Sequence, residues 1–117
     1  MNGHLSVRRI LASVALLLLA GCGGGTYVAY APLDEVRVSE NGSDLVLVGL
    51  HGSCDKVLPP VVQQTPQDVK VSVPLKTKKG VCPAVGLSLD VPVHLDAPLG
   101  QRQVLDEQTR KVLPRAA

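Results

Sequence analysis

Phenylalanine and tryptophan are absent from this chain of 117 residues, and Tyr27 and Tyr30 are its only aromatic side chains. Sugar faces and nucleobases are held largely by stacking on flat rings, so a domain with two tyrosines has little with which to hold either. Its core must be built from valine and leucine. Net charge is missing too. Arg8 and Arg9 supply the whole excess of basic residues, and beyond residue 21 ten Lys and Arg balance ten Asp and Glu. With no overall field to draw in a polyanion, nucleic acid is not an expected partner. Gly-x-Ser-x-Gly and Cys-x-x-Cys are also lacking, which removes the familiar signatures of a serine nucleophile and of thiol–disulfide exchange. No catalytic residues are assigned, and the chain is not read as an enzyme.

What is present begins with an export segment. Met1–Arg9 ends in two positive charges, and Ile10–Ala20 follows as eleven uncharged, leucine-rich residues. Crossing a bilayer takes roughly 20 apolar residues; this shorter run has the length of a signal-peptide core. It ends in Leu19-Ala20-Gly21-Cys22, which resembles the lipobox of bacterial lipoproteins. The resemblance implies cleavage before Cys22 and a diacylglyceryl thioether on its sulfur, with further acylation such as palmitate. It thereby implies anchoring in the cell membrane on the extracytoplasmic side. That lipid is the only attached group expected, and no other cofactor is assigned. The alternative is an ordinary secretory signal that happens to end at a cysteine. Arg8-Arg9 also raises twin-arginine export, but the flanking residues fit general secretion better. Residues 1–21 are thus read as signal peptide and 22–33 as lipidated cysteine and flexible tether. Such a glycine-rich leash reaches on the order of 15–20 Å.

Residues 34–117 are expected to fold as one small domain. Val69, Val71, Val73 and Leu75 alternate with polar residues or proline, and so do Val85, Leu87, Leu89, Val91, Val93 and Leu95. A period of two predicts strands with one apolar face. Shorter candidates are 35–39, 45–50, 57–64, 103–105 and 111–113, separated by turn-forming residues such as Asn41-Gly42 and Lys78-Lys79-Gly80. No stretch carries a sustained 3.6-residue stripe. Six or seven short strands at this spacing predict an all-β sandwich, of which the immunoglobulin-like arrangement is one form, with a small barrel as alternative. Pro74 and Pro92 belong at edges or bends, and the second of the long strands is expected to break or change partner at Pro92.

Once Cys22 is acylated, Cys54 and Cys82 are the remaining thiols, and outside the cytoplasm two such cysteines usually pair. A bridge closing a loop of 28 residues stabilises a fold by about 3–4 kcal/mol in the loop-entropy model. The competing arrangement is a zinc or copper site built from His51, Cys54, Cys82 and His94; the disulfide is preferred and no metal ligand is assigned. Ser53 near His51 reads as a polar loop residue. Asp34-Glu35 and Asp106-Glu107 are adjacent carboxylates whose side chains point apart in strands, and they read as solvated. Asn41-Gly42-Ser43 fits a glycosylation sequon but is first a hairpin turn. Lys76, Lys78 and Lys79 form a basic tip, read as a soluble hairpin end rather than a contact for headgroups or wall polymers.

The second half carries a further pattern: Val81-Cys82-Pro83-Ala84, then Val93-His94-Leu95, then Pro98-Leu99-Gly100-Gln101-Arg102. It resembles small secreted or lipid-anchored proteins of actinobacteria over residues 45 to 114. The resemblance implies a compact β-domain with a Cys54–Cys82 bridge and little about activity. In that motif Arg102 is expected to tie a strand end to backbone carbonyls or to Asp106, with a ligand contact as the alternative. The chain as a whole reads as a membrane-anchored envelope lipoprotein with a binding, structural or accessory role and an unidentified envelope partner. A metal-handling lipoprotein using His51 and His94, or a small envelope enzyme, are the alternatives.

Overall fold

The structure, a computed structural model, describes residues 25–116; residues 1–21, read above as a signal peptide, and Cys22 lie outside the described residues. Ten strands run along the described chain: β1 Thr26–Tyr30, β2 Leu33–Val38, β3 Asp44–Gly52, β4 Asp55–Val57 and β5 Val61–Gln64, then β6 Asp68–Ser72, β7 Pro74–Lys78, β8 Gly86–His94, β9 Gln103–Asp106 and β10 Arg115–Ala116. They form three sheets, ordered β1-β7-β4, β10-β2-β3-β8 and β5-β6-β9. The four-stranded sheet buries Val36, Leu45, Leu47, Leu89, Val91 and Val93 against Val69, Val71, Leu75 and Val104 of the two three-stranded sheets. That is an all-β fold of sandwich type, with a core of Val, Leu and one alanine, stapled by a Cys54–Cys82 disulfide.

Alternation predicts the long strands well because each has one face against this core. In β8, Leu89, Val91 and Val93 are buried while Asp90, Pro92 and His94 are exposed. The strand does not break at Pro92, which stays in register opposite Val46. β8 lies at the edge of its sheet, where every second N–H points away from the neighbour, so a proline at such a position removes no ladder bond. Pro74 does mark a bend. Val73, between β6 and β7, is where the chain leaves one three-stranded sheet for the other.

Other elements depart from the pattern for local reasons. The expected strand over 57–64 is divided, because Pro59-Pro60 separates β4 from β5. Leu33 and Val36 are both buried although three residues apart. A register shift between Leu33 and Glu35 inserts the extra residue that changes the phase of the alternation. The expected strand at 111–113 is reduced to an isolated bridge between Val112 and Leu105. Two pairings are parallel, β10 with β2 and β6 with β9, and with three sheets the arrangement differs from the two antiparallel sheets of an immunoglobulin domain.

The largest correction concerns the tether. Thr26–Tyr30, read as leash, is β1, paired antiparallel with β7 from Thr26↔Lys78 to Tyr30↔Pro74. Ala31 and Leu33 then enter the core. Thr, Tyr and Val are strong strand formers, and that composition outweighs the preceding glycines. Three residues of sequence, Gly23–Gly25, lie between Cys22 and the first strand.

Candidate functional site

The strand β1 creates the main concave surface of the described residues. Between the small β1-β7-β4 sheet and the end of β3 lies an open cleft of about 440 Å³. Ala29 and Leu75, directly paired across β1 and β7, line it from the small sheet. Leu50 and His51 contribute from β3, and Pro83–Val85 with Gly86 from the segment leading into β8 and its first residue. Tyr27 and Tyr30 also line it, 49% and 46% exposed. Both aromatic residues of the chain therefore meet at one cleft, a few residues after Cys22. Sequence reading missed this by placing them in a tether; the β-rich composition of Thr26-Tyr27-Val28-Ala29-Tyr30 was the available signal.

Among the described residues, the one carboxylate lining the cleft is committed to holding its shape. The Asp55 carboxylate accepts the Gly52 N–H at 2.6 Å and the Thr77 hydroxyl at 2.8 Å, closing the turn between β3 and β4 and binding it to β7. His51 Nδ1 lies 2.9 Å from the Gly52 carbonyl. A carbonyl oxygen can only accept, so Nδ1 is the donor in this contact. Among the described residues no Ser, Thr or Cys is hydrogen-bonded to a histidine, so a nucleophile–base pair is not assembled here. Ser53 instead reaches the Pro83 carbonyl at 3.4 Å.

Cys54 and Cys82 are bonded, with Cα atoms 6.1 Å apart. The bridge joins the β3–β4 turn to the loop between β7 and β8, which includes the fully exposed Val81. Pro83–Gly86 follow directly, so the disulfide lies next to one wall of the cleft as well as closing a long loop.

The metal cluster weighed from the sequence does not assemble. His94 lies opposite Asp44 in the β3–β8 ladder, whereas His51 lies opposite Leu87. Seven residues of strand separate the two positions, about 23 Å at 3.3 Å per residue, and both cysteine sulfurs are used in the bridge. Among the described residues no group of three His, Cys, Asp or Glu side chains is placed to share an ion. His94 has a different partner. Its Nδ1 is 2.7 Å from the Asp44 carboxylate on an exposed face, and that hydrogen bond is the main reason the Asp44 carboxyl is held below its ordinary range.

Two further residues sit where their chemistry explains them. Arg102 donates to the carbonyls of Leu99, Thr65, Ala97 and Pro98 at 3.0–3.2 Å, holding the loop before β9 against the β5–β6 turn. The expected structural role holds, with carbonyls as partners rather than Asp106. Asp106 is a correction: it is 1% exposed rather than solvated, and its carboxylate accepts the Gln108 N–H at 2.9 Å. Asn41 forms the expected turn between β2 and β3, accepting from the Ser39 hydroxyl and the Ser43 N–H while Gly42 takes φ 77°.

Set beside known proteins, the chain matches no family model, no curated protein and no solved structure.

Proposed function

We propose that this protein is a lipid-anchored component of the bacterial cell envelope, acylated on Cys22, whose β-domain has a binding or accessory role at the extracytoplasmic membrane surface. One observation supports it above the others. The chain has three cysteines, and the fold pairs two of them, Cys54 and Cys82. That leaves Cys22 as the unpaired thiol, at the end of the Leu19-Ala20-Gly21-Cys22 signature and before a disulfide-bearing domain suited to an oxidising compartment. The resemblance to small actinobacterial lipoproteins over Cys82-Pro83-Ala84 and Pro98–Arg102 agrees with this reading. A role in binding is favoured by the cleft, which joins Tyr27 and Tyr30 to an apolar floor while its carboxylate, Asp55, is occupied in holding a turn.

The test is metabolic labelling with a palmitate analogue, followed by fractionation. The natural chain is expected to carry the label and to sediment with membranes at the size of the processed protein. Cys22→Ala is expected to lose the label and to retain the size of the precursor. A natural chain without label, or a Cys22→Ala chain that is labelled and processed as before, removes the lipoprotein reading.

A further inference from the structure

The ten basic and ten acidic residues beyond the signal segment balance overall, but the fold separates them. Lys56, Lys76, Lys78 and Lys79, four of the six lysines of the chain, belong to the small β1-β7-β4 sheet or the turn that follows β7. All four are exposed. Lys76 and Lys78 are two residues apart on β7 and share a face. Lys56 is directly opposite Lys76 across β4, and Val28 and Thr26 are opposite Lys76 and Lys78 across β1. Together with Thr26, the three strand lysines frame a shallow hollow of about 240 Å³.

Nothing in the sheet neutralises this face. Its one acidic residue, Asp55, is paired with Thr77 and belongs to the opposite face, where Gly52 and Thr77 occupy the carboxylate. Among the described residues the single salt bridge is His94 with Asp44, at the far end of β3. Like charges directly opposite one another in a ladder are destabilising, so the Lys56–Lys76 pair breaks a local rule that an anion in the hollow would repair. Position supplies that anion. The Lys79 N–H donates to the Gly25 carbonyl at 2.8 Å, and Gly25 is three residues from Cys22. Three residues span at most about 11 Å, close to one Debye length at moderate salt.

We infer that this lysine face is a second membrane contact, seating the phosphates of anionic phospholipid headgroups beside the lipid carried by Cys22. The inference rests on the lipoprotein reading for the position of the membrane. The neutral chain then has an orientation: the basic sheet is drawn to the bilayer, and the rest of the domain, with nine of the ten acidic residues, is directed away.

Lysine footprinting on the full-length acylated protein tests it. The protein is incorporated into phosphatidylcholine vesicles with and without phosphatidylglycerol and treated with a water-soluble amine-acylating reagent; modification is read by mass spectrometry. With phosphatidylglycerol at low salt, Lys56, Lys76, Lys78 and Lys79 are expected to react about fivefold more slowly, the factor for a contact of about 1 kcal/mol per lysine. Molar salt should restore their rates, and Lys111 should not change. A triple variant, Lys56→Gln with Lys76→Gln and Lys78→Gln, leaves Lys79 as reporter and should abolish its protection while the strand circular dichroism is kept. Equal rates in both vesicle types, salt-insensitive protection, or an unchanged Lys79 in the triple variant overturns the inference. Equal protection by a soluble polyphosphate without vesicles would make the face a general polyanion site and remove the headgroup assignment. Failure of the anchor is read separately, as failure to float with phosphatidylcholine vesicles. In that case, salt-sensitive flotation with phosphatidylglycerol vesicles decides the lysine face by itself.

Discussion

At Gly49 the backbone of β3 is approached by the chain entering β2. A Cβ there would collide with the Pro32 carbonyl, which accepts the Leu50 N–H at 3.2 Å. Glycine is required by space at this position, not by its φ angle. Gly49→Ala is expected to destabilise the domain by about 2–3 kcal/mol, the scale of overpacking in a tight core, measurable as a lower urea midpoint with an unchanged slope. Arg102 is held to its identity by geometry of another kind. Its planar fork reaches four carbonyls in three directions, and an ammonium cannot reproduce that spread. Arg102→Lys should lower stability by about 2 kcal/mol despite the retained charge, with hydrogen exchange rising first at the Thr65 and Leu99 amides.

The disulfide acts on an element rather than on a site. It clamps the loop between β7 and β8 to the β3–β4 turn, and the same loop supplies the Pro83–Gly86 wall of the cleft. Replacing Cys54 and Cys82 together by serine should cost about 3–4 kcal/mol by loop entropy, a large share of the 5–15 kcal/mol typical of a domain. Amide exchange separates two outcomes. If the bridge also shapes the cleft, residues 79–86 will exchange faster even where the rest of the sandwich is still folded; if it acts only through the unfolded chain, protection will fall evenly.

For the whole molecule, the acylation proposed at Cys22 and the fold are expected to be separable. The buried cluster of the described residues runs from Ala31 to Leu113, all of it C-terminal to Cys22 in the sequence. A Cys22→Ala chain should therefore show the thermal midpoint of the natural domain within about one degree, while losing its lipid. A shift of several degrees, about the effect of 1 kcal/mol in a domain of this size, would mean that the acylated end contributes to packing.

What could be read without the fold was whatever depends on short-range order. The Leu19-Ala20-Gly21-Cys22 motif is contiguous, the alternation in Val85–Leu95 marks β8 because one face meets the core, and two cysteines in a chain read as exported predict their own bridge. Arg102 was legible as a tie within its loop. Other features needed the tertiary structure because they arise between distant segments. Tyr27 becomes part of a cleft only when Thr26–Tyr30 pairs with β7, some 50 residues on. Lys56 joins Lys76 only through the β4–β7 ladder, and His51 is parted from His94 by the register of β3 on β8. Asp106 is buried by a turn whose hydrogen bonds composition does not reveal. The absence of Phe and Trp, visible from the start, dictated a core of aliphatic residues and left two tyrosines. That both stand in the sheet which, with the turn after it, holds four of the six lysines was decided by strand pairing alone.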